Sequence, residues 1–191
     1  PENVPSLQAE IHLTIGGQQF TITRPLQYRY TDQVKGEVFQ PLAVAPPVVA
    51  NLGSQVYIFT DAKPQQVPVK LRAMADNVQG AVHLKLPPGF TAGDNRQSYS
   101  LEQKGDEVEL HFNINPVKPV TENHADTFTV VMECNGKEYT QGFRQIRYDH
   151  IPLITLFPAA EARLVSVNLK HNGNRLGYIP GAGDMVAASL R

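Results

Sequence analysis

The sequence predicts an all-β protein: an immunoglobulin-like antiparallel sandwich over residues 33–150, with a partial segment on either side. Three observations predict it. Short apolar runs of period 2 recur at regular spacing, separated by Gly, Pro and Asn-Gly turn signals. No window between 37 and 148 has an apolar period near 3.6. A hairpin-like stretch also occurs twice, as GGQQFTITRPLQYRYTD at 16–32 and NGKEYTQGFRQIRYDH at 135–150. Each copy ends in Arg-Tyr, and the offset of 118 residues (147 − 29) is about one sandwich length.

Residues 1–8 carry two prolines and no period, so they read as a linker. In 9–15, Ile11, Leu13 and Ile15 alternate with His12 and Thr14, the pattern of a half-buried strand. Gly16-Gly17 is a hairpin signal, and QQFTITR and LQYRYTD continue as strands around Pro25. This segment, 1–32, has too little apolar surface to fold alone and reads as the last hairpin of a preceding β-domain, as a linker, or as a hairpin borrowed by the domain that follows. Residues 33–47 read as a connection with a turn at Lys35-Gly36, running into a first strand that Pro46-Pro47 confines to a sheet edge.

Within the sandwich, SQVYIFTD is a strand. The segment 66–75 is the cleanest alternation, with Val67, Val69, Leu71, Ala73 and Ala75 on one face. In GAVHLKL, Val82, Leu84 and Leu86 point inward, and Pro87-Pro88-Gly89 ends the strand. TAGDNRQ reads as a loop. Lys104-Gly105-Asp106 joins two strands, the second with Val108, Leu110, Phe112 and Ile114 opposite Glu109, His111 and Asn113. KPVTENHAD reads as a loop, and 128–134 and 137–148 as a closing hairpin with a type I′ turn at Asn135-Gly136. Residues 151–191 read as an apolar connector, a strand in AEARLVSVNLK, and a Gly turn leading into a helix in MVAASLR, the opening of an α/β domain. The whole is expected to be a piece from the middle of a longer modular protein.

Composition narrows the function classes. The 191 residues are 41% hydrophobic and 18% charged, enough apolar material for a core and unlike a disordered chain. A net charge of −1 leaves no basic excess for a phosphate backbone, so nucleic acid is not an expected partner. No apolar run reaches the length of a membrane span. The single cysteine, Cys134, has no internal disulfide partner and no histidine at useful spacing.

Candidate chemistry is sparse. The turn Gly181-Ala182-Gly183-Asp184 could cradle an anion, or serve only as a strand-to-helix turn with Asp184 as a cap. His83 and His111 fall on outward faces and could meet across strands, although no histidine pair has metal spacing. Glu122, His124 and Asp126 look like a loop cation site or a solvated loop. Asp106, Glu107 and Glu109 flank a turn and lack the cleft that glycoside chemistry needs. No catalytic, cofactor or metal set is assembled. Tyr57, Tyr99 and Tyr139 are the aromatic residues nominated for glycan contact.

YRYTDQVKGEVFQPLAV, followed by a sandwich and then RLGYIPGAGDMVAASLR, resembles the non-catalytic region of large bacterial PIG-L/LmbE-type de-N-acetylases. The sandwich also resembles the NPCBM-associated, α-galactosidase-associated module, through the Gly53-Ser54 turn and LPPGF. The resemblance implies an exported protein, periplasmic or extracellular, whose zinc-dependent de-N-acetylase domain lies elsewhere, because the AHPDD type of zinc motif is absent from this chain. It implies an accessory domain that spaces or stabilises its neighbours, or alternatively a carbohydrate-binding module. The expected partners are neighbouring domains, polysaccharide, or a second copy paired through exposed strand edges.

Overall fold

The structure is a computed structural model that describes residues 6–148, 150–151, 153–170, 173, 177–179 and 181. Its described residues are all-β, with several antiparallel sheets and no helix. In chain order the strands are β1 (Gln8–Ile15), β2 (Gln18–Pro25), β3 (Gln27–Asp32), β4 (Gly36–Pro41), β5 (Val48–Leu52), β6 (Val56–Phe59), β7 (Gln65–Ala73) and β8 (Val78–Lys85). They continue with β9 (Phe90–Ala92), β10 (Arg96–Leu101), β11 (Glu107–Pro116), β12 (His124–Cys134), β13 (Lys137–Tyr139), β14 (Arg144–Ile146), β15 (Ile154–Leu156) and β16 (Glu161–Ser166).

Two sheets form the body. One has the order β5-β7-β11-β9; the other has the order β10-β8-β12-β16-β6, with β13 paired to β12. Alternation along the strands sends one set of side chains into a shared core. Val67, Val69 and Leu71 from the first sheet and Val82, Phe128 and Leu164 from the second are all fully buried. At roughly 1.5–3 kcal/mol for each fully buried side chain of this size, this core is the main source of stability.

Pro68 sits in β7, a strand with neighbours on both sides, where a missing N–H ordinarily breaks a ladder. It is tolerated because Pro68 faces β5 where β5 ends, and there its carbonyl accepts the Gly53 N–H at 3.3 Å. The edge strand expected within 33–47, ahead of Pro46-Pro47, does not form in the sandwich: residues 42–47 carry no strand, and the edge strand of this sheet, β5, begins only after the prolines.

Two turns follow their sequence signals closely. Asn135 and Gly136 have φ of 51° and 74°, the paired positive values a type I′ turn needs, and they join β12 to β13. At the Lys35-Gly36 turn, the Asp32 carboxylate accepts the N–H groups of Val34 and Lys35, both at 2.8 Å. Those bonds hold the Asp32 carboxyl below its ordinary value, because they favour the charged form.

The pairing does not follow the expected boundaries at 32 and 150. Residues 36–41 were expected to lead into the sandwich; instead β4 folds back on β3 as a second hairpin. The segment beyond 150 was expected to open another domain; instead β16 lies inside the larger sheet, antiparallel to β12 and parallel to β6. The sandwich therefore runs from Val48 to Ser166, and the hairpins of 8–41 precede it. The two Arg-Tyr stretches also differ in structure. Arg29-Tyr30 lies within β3, whereas the chain leaves the strand after β13 and Arg147-Tyr148 lies beyond β14. TAGDNRQ is not all loop, since β9 and the start of β10 occupy its ends. His124–Asp126 begins β12 rather than ending a loop.

Candidate functional site

The tyrosines nominated for sugar stacking do not form a platform. Tyr57 is 8% exposed and Tyr99 6%, both within the core, and Tyr139 packs against it partly buried. The Tyr57 ring lies 6.0 Å from that of Phe128, and its hydroxyl accepts the Ser54 N–H at 3.3 Å. Burial pushes the Tyr57 hydroxyl above its ordinary pKa. The Tyr99 hydroxyl donates to the Glu133 carbonyl at 3.0 Å, and its pKa is raised first by burial and then by the neighbouring Cys134.

Tyr99 has a structural reason to be there. It stands opposite Gly80 on β8, and a methyl group at Gly80 would fall on the Glu133 carbonyl oxygen. The close approach of β8 to β12 requires glycine, and the Tyr99 hydroxyl oxygen lies 3.2 Å from where that methyl would sit.

The other candidates separate. His83 lies on β8 and His111 on β11, in different sheets. His83 Nδ1 is 3.4 Å from Glu133, which also forms a two-point ion pair with Arg96. That pair is the main reason the Glu133 carboxyl is held below its ordinary value. Asp106 accepts the Gln103 N–H at 2.8 Å and closes the turn. Glu107 pairs with Lys70 at 2.8 Å. His124 Nε2 meets Asp126 at 2.9 Å. No group of three or more metal-binding side chains is found among the described residues. Cys134 is buried and free of a disulfide. Of the Gly181–Asp184 turn, residues 182–184 lie outside the described residues, as does the expected helix. No helix among the described residues is long and apolar enough to cross a membrane.

Two surface features remain. The first is the face of the β1–β2 hairpin. Ile11 stands opposite Ile22 and Leu13 opposite Phe20, so with Ile15 they share one face. They are 38–65% exposed. The β3–β4 hairpin adds Tyr28 and Tyr30, whose rings stack at 5.8 Å, and an exposed Phe39.

The second is a polar groove of about 710 Å³ beside β11, lined by Asp94, Gln97, Glu109, His111 and Asn113 among others. The sequence had placed Glu109, His111 and Asn113 on an outward face. Asp94 and Gln97 were hidden in a stretch that looked like loop, because β9 has only three residues and carries no alternation of its own.

Neither the protein-family models nor the curated proteins contain a match to the chain.

Proposed function

We propose that the chain is a non-catalytic accessory β-sandwich that spaces and stabilises neighbouring domains of a larger enzyme, in keeping with its resemblance to the region beside PIG-L/LmbE-type de-N-acetylases. We read the sandwich as immunoglobulin-like. The observation that carries the proposal is the uncovered apolar face of the β1–β2 hairpin. A two-stranded hairpin is at best marginally stable by itself in water. A contiguous apolar face of this kind marks a surface made to be covered. The sandwich behind it has its own filled core, so the hairpins are free to serve as the docking element.

The alternative, a carbohydrate-binding module, has two of its three nominated aromatics, Tyr57 and Tyr99, in the core and the third, Tyr139, partly buried against it. A glycan array probed with the chain, together with zinc analysis and an assay on N-acetylglucosaminides, separates these readings. The accessory reading expects no saturable glycan binding and no deacetylation. Saturable binding would favour the module, and metal-dependent turnover would overturn both.

A further inference from the structure

The groove beside β11 is half of a strand position. The Ala73 N–H donates to the Asp106 carbonyl at 2.9 Å, which sets the ladder parity between β7 and β11. Residues 108, 110, 112 and 114 therefore bond to β7, and the main-chain groups of Glu109, His111 and Asn113 point the other way. On that side β9 meets β11 only at Ile114–Pro116, then leaves after Ala92 and crosses through Gly93 and Asp94 to β10. Among the described residues, no strand pairs with the edge alongside 109–113. The Gln97 side-chain amide donates to the His111 carbonyl at 2.9 Å, standing where the N–H of an added strand would stand.

We propose that this vacant half-edge takes an extended, basic segment of another polypeptide, added as a strand to β11 in line with β9. The vacancy spans five residues, about 17 Å of extended chain at roughly 3.4 Å per residue. Edge addition of this kind draws affinity from main-chain bonds and selectivity from the flanking side chains. Here those side chains include Asp94 and Glu109, and the lining holds no Lys or Arg, so it favours a segment bearing Lys or Arg. A sugar is the weaker fit, because no Phe, Tyr or Trp is among the lining residues and the outward main-chain groups repeat at strand spacing, with only side-chain amides, from Gln97 and Asn115, on the carbonyls of His111 and Asn113. The inference does not depend on what covers the hairpins.

The test is an NMR titration of the chain at low salt with the peptide acetyl-Lys-Val-Lys-Val-Lys-Val-amide. Saturable shifts are expected at 93–97 and 109–113. Binding should weaken at least tenfold for the same peptide N-methylated at alternate residues, and at least fivefold for Glu109→Lys. Asn113→Pro, which removes an outward N–H, should match the N-methylated peptide. Equal binding of the N-methylated peptide, which leaves the protein unchanged, would overturn strand addition. So would an absence of shifts in the groove at millimolar peptide, or shifts produced there by a neutral chito-oligosaccharide and not by the peptide.

Discussion

The β1–β2 hairpin and strand β7 carry the same sequence signal and have opposite fates. In β7, Val67, Val69, Leu71 and Ala73 alternate with polar residues and are all fully buried. In β1, Ile11, Leu13 and Ile15 alternate just as cleanly, and Ile15 is 65% exposed. Alternation specifies a strand with one apolar face; burial requires a second sheet to meet that face. The sandwich supplies one to β7 from within the chain. The hairpin has none among the described residues, which is the basis for our proposal that a neighbouring domain covers its apolar face.

The contrast can be broken or sharpened by substitution. Phe128→Ala, at the centre of the core, should cost about 4 kcal/mol in urea unfolding, through lost burial and the cavity left behind. Gly80→Ala should cost about 3 kcal/mol, because β8 and β12 must separate to admit a methyl group. A change under 1 kcal/mol there would mean the two strands are not as close as described. Tyr99→Phe should cost about 1 kcal/mol, leaving the Glu133 carbonyl one partner short.

Acid should act on the sandwich surface in a defined direction. The Lys70 bond holds Glu107 below its ordinary 4.5, and the Arg96 pair does the same for Glu133. Their contribution is fully present above the ordinary value and is lost as pH falls through the lowered one. Thermal unfolding followed from about pH 6 to pH 3 should therefore lose less Tm in Glu107→Gln than in the wild type. The smallest effect belongs to the hairpin. Ile11→Thr combined with Leu13→Thr should shift unfolding of the sandwich by less than about 0.5 kcal/mol, while abolishing binding of an apolar dye.

Much of this fold was legible in the residues. The strands of the sandwich follow their alternation, and the turns at Lys35-Gly36 and Asn135-Gly136 follow their residue types. Partnership was not legible. Nothing local in GEVFQP says that it pairs back with QYRYTD. Nothing local in EARLVS says that it completes a sheet begun a hundred residues earlier, because pairing at that separation is settled by packing and not by propensity. The tyrosines misled for the same reason. An aromatic on a strand is equally suited to a stacking face and to a core, and Tyr57 and Tyr99 are core residues whose hydroxyls find backbone partners. The groove was half legible, in Glu109, His111 and Asn113, but its other wall depends on where β9 leaves the sheet.

The central claim, that the hairpins of 8–41 are built to be covered while the sandwich sustains itself, is tested most directly by hydrogen exchange. Amides of β1–β4 are compared with those of β7, β11 and β12, in this chain alone and in the longer protein with neighbouring domains that we propose. The account predicts that in the isolated chain the hairpin amides exchange by local opening, at least a hundredfold faster than those of the three sandwich strands, and that in the longer protein they gain at least tenfold protection while the sandwich amides stay unchanged. Hairpin amides as protected as the sandwich in the chain alone, or equally unprotected in both, would contradict it.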